Sequence, residues 1–139
     1  MAIVPQTILT DILTDYFVTP VVKVALFNNT GVTLNFYTTW ADIEPYIVAD
    51  GYLGYSWQLL DLTAGDIVPE GDLVGFEKQL VSFGRDSSST PLDYNGVAVF
   101  QEDQVGTNHV LLGHQQTIGA QQLKKGQSLA VYIDAAMLN

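Results

Sequence analysis

The start of the chain has the apolar periodicity of a short amphipathic helix. Residues 8–15 read ILTDILTD, so apolar positions recur every four residues along two neighbouring rows. On a helix these rows form one stripe, with Thr and Asp on the opposite side. Pro5 suits a first helical turn and Pro20 prevents continuation, which predicts a helix over about residues 6–17. The stripe consists of Ile8, Leu9, Ile12, Leu13, Tyr16 and Phe17.

The apolar stripe has two alternative partners. Thr and Asp are poor helix formers in a helix interior, so the helix depends on packing for its stability. The stripe can pack on the core of its own domain, or it can act as an arm that forms an interface with a neighbouring subunit. We take residues 1–20 as an N-terminal arm or helix and residues 21–139 as a single β-sandwich domain.

Beyond Pro20 the pattern changes to strands and turns. Runs rich in Val, Ile, Leu, Phe and Tyr are bounded by Gly, Asn, Asp and Pro. The predicted strands are Val21–Asn28, Asp42–Ala49, Tyr55–Leu62, Leu73–Phe83, Gly96–Gln101, Asn108–Gln115 and Leu129–Ala135. Pro45 makes the second of these an edge or irregular strand. Turns are expected at residues 28–31, 50–51 and 124–128, and an exposed loop at 86–91.

The connections between these runs decide the fold class. None of them is long enough for a crossover helix, so the sheets should be mostly antiparallel. We therefore expect a mainly β protein: an antiparallel β-sandwich or jelly roll of about seven strands behind a short N-terminal helix.

Composition and charge exclude several classes of function. The chain has 139 residues, enough for one domain. Fifteen Asp and Glu against five Lys and Arg give a net charge of −10, which argues against partners made of nucleic acid or anionic membrane. No apolar run approaches the length of a membrane span, and we read no signal peptide. Without cysteine the chain has no disulfides, thiolate zinc sites or cysteine nucleophiles.

Motifs of catalysis and cofactor binding are absent from the sequence. It contains no GxGxxG, phosphate-loop, HExxH or GxSxG pattern. His109 and His114 lie five apart in a predicted strand, so they should point to opposite faces. The acidic loops lack the spacing of a calcium loop. We expect no enzyme activity, no cofactor and no metal; a Ser-His-Asp triad assembled in space and a loop calcium site remain as alternatives.

Aromatic residues are concentrated in one segment. Seven of the fifteen aromatics fall between Phe36 and Trp57. They can pack in the core, anchor a subunit interface, or form a sugar-binding platform with Asp50, Gln58 and Asp61. The candidate interface set is Tyr37, Trp40, Tyr46, Tyr52, Tyr55 and Trp57.

Three segments, in chain order, carry a resemblance to a known group of proteins. They are V-K-V-A-L-F-N-N within Val21–Asn29, an acidic stretch leading to Gly-Tyr within Ile43–Tyr55, and K-K-G-Q-S-L-A-V-Y-I, which begins at Lys124. Together they resemble small virion structural proteins of tailed bacteriophages. The chain departs from the pattern at Gln127, where an acidic turn residue is usual, and at residues 38–40.

The resemblance implies a structural role with no catalytic residues. The expected function is a capsid decoration or cement protein, located in the virion and assembled in the host cytoplasm. Its expected partners are the major capsid protein or other virion proteins and further copies of itself, with a homotrimer favoured. A tail, neck or fibre-base component is the alternative within the virion. A carbohydrate-binding module is the alternative from another class.

Overall fold

The computed structural model describes residues 4–29, 33–84, 90–106 and 108–138. Helix α1 (Gln6–Leu13) runs into a π-helical turn (Thr14–Val18), and α2 (Trp40–Ile43) is a single turn. The strands are β1 (Val22–Phe27), β2 (Gln58–Leu59), β3 (Ile67–Glu70), β4 (Leu73–Gly84), β5 (Leu92–Gln101), β6 (Val110–Leu123) and β7 (Ser128–Leu138). Short 3₁₀ turns occupy Glu44–Tyr46, Tyr52–Gly54 and Ala64–Asp66.

The strands form two antiparallel sheets, as predicted for a β-sandwich. The first sheet has the order β2-β1-β5-β6 and the second has the order β3-β4-β7. Strands β6 and β7 follow each other in the chain across a four-residue turn, but they belong to different sheets. In these strand orders, β6 is the last strand of the first sheet and β7 is the last strand of the second.

The main core lies between the two sheets. Successive side chains of a strand point to opposite faces, so alternate residues of β1 and β4 meet there. Val22, Val24 and Leu26 from β1 face the interior, as do Val81 and Phe83 from β4. Leu9 and Leu13 of α1 join the same cluster, so the helix packs on its own domain.

Most of the predicted elements are confirmed, and one is wrong. The helix and the runs at β1 and β4–β7 are found, with β5, β6 and β7 longer than expected. The predicted strand Asp42–Ala49 is instead a helical turn followed by a 3₁₀ turn, with one bridge at Ile47. Thr39 and Asp42 form a capping box that starts the helix, and Pro45 lies in the first turn of the 3₁₀ segment.

Other differences concern short elements. The predicted strand Tyr55–Leu62 contracts to the two residues of β2, and β3 was not predicted at all. The tight turn at residues 50–51 is confirmed, with Gly51 at φ 88°. Residues 30–31 of one predicted turn and 86–89 of the predicted exposed loop lie outside the described residues.

Candidate assembly surface

The aromatic segment covers the outer face of the first sheet. Phe27 and Phe100 point away from the main core into a second hydrophobic cluster, together with Trp40. The Trp40 and Phe100 ring centroids are 4.6 Å apart, and those of Trp57 and Phe100 are 5.1 Å apart. At β1 and β5 both faces of the first sheet are thus largely buried, one by the second sheet and one by this aromatic layer.

This packing corrects part of the aromatic interface prediction. Trp40 is 7% exposed and Tyr55 is fully buried, so neither can serve as an interface anchor on the folded surface. Tyr46 and Trp57 are half-buried, and the Trp57 indole Nε1–H donates to the Val48 carbonyl (2.8 Å). For these rings the core alternative explains the aromatic composition, because large side chains are needed to cover a sheet face.

The remaining aromatic candidates are exposed, and one polar residue considered beside them has a structural contact. Tyr37 is 83% exposed and Tyr52 is 54% exposed. Tyr37 meets the neighbouring Phe36 ring edge to face, at 88°. Asp50, one of the polar residues considered for sugar binding, accepts the Trp57 backbone N–H (2.9 Å) and so holds a loop together.

The two rows of the α1 stripe have different environments. Leu9 and Leu13 are each 4% exposed, and the Phe17 ring lies 5.1 Å from Phe76 of the second sheet. In this chain the row follows the first of the two alternatives, packing on the core of its own domain, because its side chains fill that core. The other row keeps an accessible surface: Ile8 and Tyr16 are close to half exposed, and Ile12 is half-buried.

The first sheet is closed by the chain itself along its β1 side. Beyond the two residues of β2, loop groups satisfy the outer edge of β1. The Leu26 backbone N–H donates to the Tyr55 hydroxyl oxygen (2.7 Å), and the Leu26 carbonyl accepts the Val48 backbone N–H (2.9 Å). The Asn28 backbone N–H then donates to the Tyr46 carbonyl (2.8 Å). Burial raises the pKa of the Tyr55 phenol, so this hydroxyl stays neutral in the fold.

The opposite side of the sandwich is open. Within the described residues, β6 pairs only with β5, and β7 pairs only with β4. A groove of about 480 Å³ runs between these two edge strands. Its apolar lining comes from Val97 and Val99 of β5 and from Leu129, Val131 and Ile133 of β7.

The helix continues this side of the molecule. Ile12 and Tyr16 line a second depression with Val110–Leu112 of β6 and Ala135 of β7. The accessible row of α1 therefore borders the end of the groove. We call β6, β7, the groove and this helix row the open edge.

The open edge is poor in charge. Strand β6 contains no Asp, Glu, Lys or Arg, and β7 contains only Asp134. The chain has 15 acidic and 5 basic residues, and all of them except Asp134 lie outside these two strands. Natural proteins usually protect exposed sheet edges with charged residues or proline, and such residues are nearly absent here.

The open edge has no local signal that would predict it from the sequence. The lack of charge over residues 110–123 was visible in the sequence, but only the order of strands shows that β6 and β7 are both terminal and lie side by side.

Both histidines and Asp42 are engaged in structural contacts. His109 Nδ1 accepts the Asp103 backbone N–H (2.8 Å), and His114 Nε2 lies 3.1 Å from the Asn35 carbonyl oxygen. Hydrogen bonds from the Thr39 backbone N–H and hydroxyl lower the pKa of Asp42.

Among the described residues, no three His, Asp or Glu side chains converge as metal ligands would. No helix in the described part of the chain is long and apolar enough to cross a membrane.

Comparisons with protein-family models, with curated protein sequences and with solved structures find no match to this chain.

Proposed function

We propose that this protein is a non-enzymatic structural component of a virion, a decoration or cement protein that binds the outer capsid shell and stabilises it through subunit contacts. The observation that carries the proposal is the open edge: two long, almost uncharged edge strands beside an apolar groove on an otherwise acidic domain. Exposed strand edges recruit other protein strands, so such a surface suits assembly. The resemblance of three segments to tailed-phage virion proteins supports the same function.

The rest of the fold suits a protein that works as a rigid building unit. Strands β1 and β5 are covered on both faces, and the outer edge of β1 is satisfied by loop groups. A net charge of −10 limits nonspecific association at the remaining surface.

The proposed partners are the major capsid protein or other virion proteins and further copies of the chain. A trimer is favoured, and the proposed location is the virion. A tail, neck or fibre-base position is the alternative within the particle.

Copy number in purified virions of the source tests this function. Quantitative mass spectrometry should find the protein in a fixed, high ratio to the major shell protein. A small number of copies per particle would assign it to the tail or neck. Complete absence from the particle would overturn the virion proposal and favour glycan binding, which an array of immobilised glycans would then test.

A further inference from the structure

We propose that the open edge binds a second copy of this chain, so that β6 and β7 of one subunit dock against the same strands of the next. The inference rests on the proposed assembly function and names both the partner and the surface. The hydrogen-bonding capacity of the edges, the charge distribution and the shape of the groove support it.

The edges provide main-chain groups for another strand. Strands β6 and β7 have 14 and 11 residues, and each has a described partner on one side only. Along such an edge about every second residue points its N–H and C=O outwards. An added strand exchanges water for inter-strand hydrogen bonds along this row, which is the basis of recognition by β-strand addition.

The charge distribution selects a copy of the chain as that partner. Two molecules of charge −10 repel each other wherever their acidic surfaces meet. Across the open edge, Asp134 is the only charged residue that the two strands contribute, so like-charged copies approach there at the lowest electrostatic cost. A basic partner would instead be attracted to the acidic surface outside these strands.

The dimensions fit a specific interface. Eleven residues of β7 span about 37 Å at roughly 3.4 Å per residue. Two sheets about 10 Å apart, with their strand edges, present a side about 15 to 20 Å wide, hence roughly 550 to 750 Å² per subunit. Standard stable interfaces bury about 800 Å² per partner. The adjoining Ile12 and Tyr16 extend the apolar area in this direction.

The groove has room for side chains from a partner. Gly113 and Gln115 of β6 pair with Val99 and Val97, so they occupy the face that looks into the groove. Neither adds an apolar side chain to the space between the sheets. A Cβ atom built on Gly113 meets no described atom within 4 Å. Apolar side chains of a second subunit can therefore pack on Val131 and its neighbours.

Filling the groove tests the proposal. Sedimentation velocity of the purified chain over a range of concentrations should show self-association. Gly113→Trp, placed where space is open, should weaken self-association by at least about tenfold, as expected for blocking a central contact. Gly84→Trp is the matched control. A Cβ atom built on Gly84 also meets no described atom within 4 Å. Gly84 lies in β4 and faces away from the groove. This control should associate as the wild type does.

A second pair of variants keeps the test decisive if Gly113→Trp does not fold. Gln115→Glu adds a negative charge beside the groove and should weaken association. Gln6→Glu adds the same charge in the first turn of α1 and should leave association unchanged. Raising the salt from about 0.1 M to about 1 M shortens the Debye length from about 10 Å to about 3 Å, and should strengthen the wild-type association.

Two results would overturn the inference: a wild-type chain that remains monomeric at all concentrations, or groove variants that associate as tightly as their controls. The function proposed above has a separate readout, since the copy number in virions does not depend on these variants. A virion protein whose groove variants still associate would refute the open edge as the contact between copies and leave the assembly function standing.

Discussion

The contact between Gly96 and Phe27 makes the sharpest test of the aromatic layer. Gly96 of β5 pairs directly with Phe27 of β1, and the Phe27 ring lies across the glycine. A Cβ atom at residue 96 would lie 2.0 Å from Phe27 Cζ and 2.4 Å from Cε2. Real Cβ atoms essentially never come within 3.0 Å of such neighbours, so Gly96→Ala forces the ring or the strand to move by about 1 Å or more.

The size of the effect follows from how tightly the ring is held. Phe27 is fully buried and packs in a cluster with Trp40 and Phe100, so it has no open space to move into. Overpacking a well-filled core typically costs about 1–3 kcal/mol, occasionally more. A fully buried ring opposed by a rigid strand belongs at the upper end, so we expect Gly96→Ala to lower the free energy of unfolding by about 3 kcal/mol. For a chain of this size that corresponds to roughly 10–15 °C in Tm.

Urea denaturation followed by tryptophan fluorescence measures this change, since Trp40 and Trp57 both lie in the aromatic layer. Gly84→Ala is the matched control, because its Cβ meets no described atom, and it should change the free energy by less than about 1 kcal/mol in either direction. Phe27→Leu combined with Gly96→Ala should cost less than the sum of the single changes, since the smaller side chain relieves the overlap. If Gly96→Ala were as stable as Gly84→Ala, the packing described for this layer would be refuted.

Three further predictions concern the helix, the closed edge and the aromatic loop. Leu13→Ala should lower the free energy of unfolding by about 2–4 kcal/mol, whereas Ile8→Ala on the exposed row should change it by less than about 0.5 kcal/mol, both measured in urea. Burial raises the pKa of Tyr55 above its usual value of 10.0. The stabilising contribution of Tyr55 is therefore complete below pH 10 and is lost as the pH rises from 10 towards the pKa of the folded state. Above pH 10 the free energy of unfolding of the wild type should fall relative to that of Tyr55→Phe. Trp57→Phe removes the hydrogen bond to the Val48 carbonyl and should cost about 1 kcal/mol in the same urea assay, and an unchanged midpoint would contradict that role.

The periodic elements were accessible from the sequence, and the exceptions have local causes. The four-residue rows of α1 and the apolar runs of β1 and β4 depend on patterns within each segment, so they were predicted with nearly correct bounds. Residues 42–49 are apolar enough for a strand, but the Thr39–Asp42 capping box starts a helical turn instead. Strand β3 is short and contains Pro69, so it lacks the usual sequence signal of a strand.

The candidate site depends on relations between segments that local patterns do not contain. A four-residue turn ordinarily joins two paired strands, yet β6 and β7 separate into different sheets after residues 124–127. Likewise, the apolar stripe of α1 is uniform in the sequence, but docking on the main core buries Leu13 and leaves Tyr16 accessible. Which strand lies at an edge, and which row of a helix faces the core, is decided by tertiary packing.

The two edges of the first sheet explain why the aromatic residues and the charges lie where they do. Covering the outer edge of β1 requires a long loop, which the chain anchors with large side chains such as Tyr55 and Trp57. No comparable loop pairs with β6 in the described part of the chain, and this strand also lacks charges. A bare, uncharged strand edge promotes uncontrolled aggregation unless other features restrict it. A charge of −10 carried almost entirely outside β6 and β7 is such a feature, because it opposes association wherever two acidic surfaces meet. The proposed contact between copies would therefore be restricted to one orientation, in which the uncharged edges meet.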